Sequence, residues 1–237
     1  MSNIASRKVV VLGGSRGIGA ALVRRFAGAG DSVVFSYAGS VDAAAALAEE
    51  TSARAVRVDS ADRDALIAAV AAEGPIDVLL VNAGTLAMGD PLTLDPDAID
   101  AMIDVNVRAP YHAAVEAART MPDNGRILII GSTNGDRIPF EGGAAYAMTK
   151  AATQGMVRGL ARDFGARGIT VNAIQPGPTD TDMNPATGPM ADTMHGFMAI
   201  KRHVHAGEIA DYAAFLASTS GAMITGSLQT IDGGFSA

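Results

Sequence analysis

The chain has 237 residues, 49% of them apolar and 18% charged, with a formal net charge of −7 and no cysteine. That length fits one large domain or two small ones, and the apolar share supports a sizeable core rather than disorder. The acidic balance, without any Lys/Arg cluster, argues against a nucleic-acid surface, and the lack of thiols excludes disulfides, thiolate catalysis and Cys-based zinc sites.

No apolar run approaches the ~18 residues a membrane span needs. The opening Arg7-Lys8-Val9-Val10-Val11-Leu12 has the charge and apolar flavour of a signal peptide. Its apolar stretch is too short, however, and it runs straight into glycines, so it reads as a first strand of a cytoplasmic protein.

Short β-branched runs alternate with Ala-rich helical stretches, the pattern of repeated βαβ units. Strands are expected at 8–12, 32–37, 55–59, 77–81, 126–131, 170–175 and 227–231. Helices are expected at 17–29, 42–50, 63–73, 96–119, 144–166 and 207–217. Most strands are near-continuous apolar runs, as in parallel sheets covered on both faces. No linker or repeat divides the chain. The expectation is a single α/β domain over 1–237 with a seven-stranded, mostly parallel, doubly wound sheet.

Between the first strand and first helix stands Gly13-Gly14-Ser15-Arg16-Gly17-Ile18-Gly19. Glycines let the backbone approach a pyrophosphate closely, and the helix N-terminus supplies N–H donors. The spacing departs from Gly-x-Gly-x-x-Gly, and a tight turn without a ligand is the alternative. An NAD site places a carboxylate at the end of the second strand, whereas here that strand ends Tyr37-Ala38-Gly39-Ser40. Arg16 could pair with a 2′-phosphate, which points to NADP(H), or be an ordinary surface arginine. Asp59, followed by Ser60, ends the third strand where a carboxylate could accept from an adenine amino group. Asn82-Ala83-Gly84 ends the fourth, leaving room for a ribose or adenine against the backbone.

Further along, Ser132 precedes Tyr146-Ala147-Met148-Thr149-Lys150. Residues i and i+4 share a helix face, so the ammonium lies beside the phenol and lowers its pKa from about 10. That makes Tyr146 a usable proton donor or acceptor near neutral pH. Taken singly, Ser132 could cap a loop, Asn106 could mark a mid-helix kink and Tyr146 could be a core phenol.

The segment 178–204 breaks the rhythm, with Met183, Met190, Met194, Phe197 and Met198 but no strand signal. Following the carboxyl end of a strand, it reads as a substrate lid, with a core-packed helix as the alternative. His195, His203 and His205 have no acidic partners at ligand spacing, so solvated histidines are expected and no metal site.

The constellation resembles the short-chain dehydrogenase/reductase family over essentially the whole chain. The glycine loop, Asn82-Ala83-Gly84, Asn106, Ser132, Tyr146/Lys150, Pro176-Gly177 with Thr179 and Thr181, and Asp232-Gly233-Gly234 follow the family's order. The resemblance implies a Rossmann fold and an NADP(H)-dependent oxidoreductase acting on a ketone, aldehyde or secondary alcohol. It implies that Tyr146 is the proton donor, that Ser132 donates to the oxyanion, and that Lys150 binds the nicotinamide ribose. Asn106 would hold a water linking Lys150 to solvent, and Pro176, Gly177, Thr179 and Thr181 would hold the carboxamide.

Tyr37-Ala38-Gly39-Ser40 is similar to the second-strand end of NADP-dependent 3-oxoacyl-carrier-protein reductases. The chain is also similar to family members that bind cyclic di-GMP, which gives a second reading as a regulator, with Arg16, Arg137, Lys201 and Arg202 as candidate phosphate contacts. Family analogy implies a homotetramer or homodimer, with helices 96–119 and 144–166 as packing surfaces. Two positions depart from the pattern: Leu12 stands for the usual Thr, and Val81 for the first Asn of Asn-Asn-Ala-Gly, which puts local rigidity or cofactor affinity in question.

Overall fold

The computed structural model describes residues 6–237, so residues 1–5 of the expected domain lie outside the described residues. Seven strands form one sheet in the order β3-β2-β1-β4-β5-β6-β9, with every neighbouring pair parallel. They are β1 Lys8–Leu12, β2 Ser32–Tyr37, β3 Arg54–Arg57, β4 Val78–Val81, β5 Arg126–Ile130, β6 Thr170–Pro176 and β9 Leu228–Ile231. The expected α/β class, strand number and Rossmann topology therefore hold.

Alternation along the strands feeds two cores, one on each face. Val9, Val11, Phe35, Leu80 and Leu128 pack under α1 (Gly17–Gly28), α2 (Val41–Thr51) and α8 (Ala206–Leu216). Val10, Leu79, Val81, Ile127 and Val171 pack under α3 (Arg63–Ala72), α5 (Ala109–Thr120) and α6 (Ala144–Phe164). Fully buried side chains such as Phe26, Leu66 and Leu128 each contribute about 1.5–3 kcal/mol.

Local chemistry sets the boundaries. Asp62 caps α3 by accepting from the Ala65 amide at 3.0 Å, and Asp95 caps α4 (Pro96–Ile103), whose first position is a proline suited to it. Strand β3 ends at Arg57, two residues before the expected Asp59, which instead turns the chain by accepting from the Ala61 amide at 2.9 Å. The expected helix 96–119 is interrupted by a π turn, Asp104–Arg108, between α4 and α5.

The segment 178–204 is closed at its base by two short parallel strands absent from the sequence reading, β7 (Thr179–Asp180) and β8 (Val204–His205). Between them lies α7 (Ala191–Phe197). The sheet order reverses between β1 and β4. The crevice outside their carboxyl ends is where open α/β sheets receive ligands.

Candidate functional site

At that crevice the glycine loop is fixed by close backbone packing. Gly13 has φ +76°, and a Cβ there would fall 2.7 Å from the Ala83 backbone; a Cβ on Gly14 would lie 2.5 Å from Phe35. A side chain at Gly19 would run into the Gly13 carbonyl. These glycines join β1, β2 and the Asn82-Ala83-Gly84 turn into one cradle that opens the N-terminus of α1.

The two departures, Leu12 and Val81, are buried apolar residues at 3% and 2% exposure. Other groups do the polar tethering: the Asn82 side chain donates to the Gly13 carbonyl at 2.8 Å, and the Ser36 hydroxyl accepts from the Gly13 amide at 3.0 Å. The loop is thus held without the usual Thr and Asn.

The adenosine end of the crevice carries cations and no carboxylate at the end of β2. Arg16 is exposed, with Asp182 at 3.9 Å as its nearest acid. Arg57, missed in the sequence, faces Tyr37 across the β2–β3 register and donates to the Ala38 carbonyl at 3.2 Å. Only the strand pairing reveals it, because the two residues are distant in sequence. Ser15, Gly39 and Ser40 lie on the loops that flank this end, Ile18 lies in the first turn of α1, and Ser60 is buried beyond β3.

Tyr146 and Lys150 stand one turn apart on α6, with the Lys150 ammonium 5.6 Å from the Tyr146 ring centroid. Tyr146 is half-buried, so it is no core phenol. Lys150 is 8% exposed, has no carboxylate partner among the described residues, and donates to the Ile130 carbonyl at 3.3 Å. That contact ties the helix to the end of β5, two residues before Ser132.

Ser132 does cap a turn, Thr133–Gly135, its oxygen accepting from the Asn134 amide at 3.1 Å. Because the oxygen is the acceptor there, the hydroxyl proton is free to point elsewhere.

Asn106 sits in the π turn and is 3% exposed. Its Oδ1 accepts from the Thr85 amide at 2.9 Å, and its Nδ2 donates to the Thr85 carbonyl at 2.9 Å and to Thr149 Oγ1 at 3.1 Å. The side chain is therefore a clasp, with one Oδ1 lone pair left over. In the π turn the Asp104 carbonyl is bonded by the Ala109 amide, five residues on. Gly84 lies between the two polar groups, since a Cβ there would sit 3.4 Å from Asn106 Oδ1 and 3.7 Å from Lys150 Nζ.

On the far wall, the Thr179 hydroxyl donates to the Gly177 carbonyl at 2.9 Å, and Thr133 donates to the Pro176 carbonyl at 3.3 Å. Thr181 reaches back to the glycine loop, its methyl 3.1 Å from where a Cβ on Gly17 would lie. The expected site residues therefore gather around one crevice. A cavity of about 480 Å³ among Gly30, Asp31, Ser52 and Arg54 opens at the amino ends of β2 and β3 and belongs to the opposite end of the sheet.

His205 is exposed as expected, but His203 and the half-buried His195 differ. His203 is 2% exposed, and its Nδ1 lies 2.8 Å from His195 Nε2, while its other nitrogen is buried without a partner. Burial, together with the neighbouring His195, holds its pKa below the ordinary 6.5, against the opposing pull of Asp180. No cluster of three or more metal-ligating side chains occurs among the described residues.

A family model described as enoyl-(acyl carrier protein) reductase matches residues 13–236. The chain belongs to the short-chain dehydrogenase/reductase family. It is 58% identical, over the full length of both chains, to the cyclic-di-GMP-binding biofilm dispersal mediator protein of Escherichia coli. It is 33% identical to the 3-oxoacyl-[acyl-carrier-protein] reductase MabA of Mycobacterium tuberculosis, covering 97% of this chain and 92% of that one. Among solved structures, BdcA in complex with NADPH superposes with a TM-score of 0.96 at 59% identity, covering 97% of this chain and 94% of that one. A short-chain dehydrogenase/reductase from Serratia marcescens gives 0.95 at 48% identity, covering 98% of each. No helix among the described residues is long and apolar enough to cross a membrane.

Proposed function

We propose that the protein is an NADPH-dependent reductase of ketones or aldehydes of modest size, working in reverse on secondary alcohols. The observation that carries this is the convergence of Ser132, Tyr146 and Lys150 at the carboxyl ends of the central strands. There the buried Lys150 ammonium bonds the β5 end and keeps further donors free. Those donors fit ribose hydroxyls, and the glycine cradle with Arg16 and Arg57 fits a phosphorylated adenosine. When bound, NADPH supplies the hydride to the carbonyl carbon.

The chain's own groups manage the oxygen. As the C=O electron pair moves onto oxygen, Tyr146 donates its phenolic proton to it, and the Ser132 hydroxyl donates a second hydrogen bond. A positioned donor of this kind is worth ~3 kcal/mol of barrier. Lys150 places positive charge beside the phenol and so steadies the tyrosinate left behind. The Asn106 clasp holds Thr85 and Thr149 around that pair.

The segment 178–204 serves as the lid, and exposed Met183, Met190 and Phe197 favour an apolar substrate body. A homodimer or homotetramer would use the faces that carry exposed Tyr111 and Met148. The test is NADPH oxidation over a panel of ketones and aldehydes. Tyr146→Phe should lower turnover at least about 100-fold while NADPH binding is kept; turnover surviving the substitution would refute the assignment.

A second reading rests on the relative that is named for binding cyclic di-GMP. Three of the four expected phosphate contacts are otherwise engaged. Arg202 pairs with both oxygens of Glu208, Lys201 donates to the Gly196 carbonyl, and Arg137 donates to the carbonyls of Phe235 and Ala237. Cyclic di-GMP would then bind in the cofactor crevice beside Arg16. Calorimetry with and without NADPH should show the two ligands competing; simultaneous binding would refute that placement.

A further inference from the structure

Three parts of the crevice are touched by one short segment, 232–237. At the Pro176-Gly177 wall, a Cβ on Gly177 would lie 2.5 Å from Asp232 Cβ, just past the bond from the Gly177 amide to the Ile231 carbonyl that ends β9. Under the lid, Phe235 is 1% exposed and meets Phe197 of α7 edge to face, with ring centroids 6.0 Å apart. The Ile200 amide donates to the Gly233 carbonyl at 2.8 Å.

Beside the serine turn, one guanidinium nitrogen of Arg137 donates to the Phe235 carbonyl at 3.2 Å and to the Ala237 main-chain oxygen at 2.6 Å. The Arg137 amide in turn donates to Thr133 at 3.0 Å, within the turn that Ser132 caps. The segment's own shape is set by Asp232, which is 8% exposed and accepts from the Gly234 and Ser236 amides. The Ser132 turn is also anchored by Asp136, which accepts from Gln154 at 2.7 Å and from Gln175.

We propose that segment 232–237 is a strut joining the substrate lid to the Ser132 turn, and that Arg137 is the positioning residue that couples them. This rests on the reading of Ser132 and of segment 178–204 given above. Lid and oxyanion donor then move as one unit: docking α7 presses Phe197 onto Phe235, and Arg137 passes that restraint to the turn. Arg137 does not touch the reacting atoms. It acts through the alignment of the Ser132 hydroxyl, so its loss should lower kcat rather than weaken cofactor binding.

The test is amide hydrogen exchange on the full chain with NADPH, comparing wild type, Arg137→Met and Arg137→Lys. Methionine keeps the side-chain bulk and loses the donor. Exchange over 132–137 and over 195–200 should rise together by about tenfold, with α1 unchanged and NADPH affinity within about twofold. Because a single nitrogen bridges the two oxygens, lysine can do the same, and Arg137→Lys should return both segments to within about twofold of wild type. On an active carbonyl, Arg137→Met should lower kcat by about tenfold with KM for NADPH held. Faster exchange confined to 132–137, or no rescue by lysine, overturns the strut. The exchange readout needs no turnover, so a chain that reduces no carbonyl would refute the reductase reading while the strut is still judged.

Discussion

Replacing Asn106 by alanine is the sharpest probe of how the crevice is held. The amide is 3% exposed and makes three bonds at 2.9–3.1 Å: two to the main chain of Thr85 and one to Thr149. Alanine strands all three partners, the buried Thr149 hydroxyl and the two main-chain groups of the more exposed Thr85. Thr149 keeps its own donation to the Tyr146 carbonyl at 2.7 Å but loses the donor that faces it. At about 1 kcal/mol per lost bond the ceiling is ~3 kcal/mol, and water entering the small void recovers part of it, leaving about 2–3. For a domain of this size that corresponds to a fall in Tm of roughly 5–10 °C. Urea unfolding monitored by circular dichroism, alongside kcat, gives both numbers. Asn106→Asp keeps the shape but turns a carboxylate oxygen toward the Thr85 carbonyl, so it should lose at least as much. A large fall in kcat with less than about 1 kcal/mol of destabilisation would refute the clasp and make Asn106 a direct participant.

Other consequences can be measured independently. Arg16→Met removes an exposed cation from the adenosine end, so the dissociation constant for NADPH should rise about 10–30-fold and that for NADH by no more than about twofold; equal losses for both would deny that Arg16 reads the 2′-phosphate. His203 is held below its ordinary 6.5, so its neutral form is favoured on folding, and the stability it supplies is complete above that value and drains as pH falls. Thermal melts from pH 8 toward about pH 5 should therefore decline less steeply in His203→Asn than in wild type. Glu208 is lowered to about 2 by Arg202 and then by the His205 amide, so its contribution is full above 4.5 and is lost as pH falls toward 2. The pair is partly exposed, which limits the cost of Glu208→Gln at neutral pH to about 1 kcal/mol, and a gap between variant and wild type that persists below about pH 2 would contradict the assignment.

What the sequence disclosed and what it hid divide along a physical line. Tyr146 and Lys150 were legible because a four-residue spacing on a helix is already a geometry, and the glycine loop because strand, turn and helix are consecutive. Relations set by strand pairing were not legible. Arg57 reaches the Ala38 turn only because β3 lies beside β2, and no local pattern marks it. Nor could spacing show that Ser36 and Asn82 tether Gly13, beside the buried apolar Leu12 and Val81.

His203 failed for a similar reason. A histidine in a polar loop reads as solvated, but the β7–β8 pair folds that loop against the sheet and buries the ring. Asn106 draws the finest distinction. Its type and position were visible, yet both Nδ2 protons and one Oδ1 lone pair are engaged by Thr85 and Thr149 from two other elements. A side chain holding three partners is fixed in place. Asn106 therefore ties the π turn to Thr85 and to α6, and that fixed geometry is what spacing along the chain could not show.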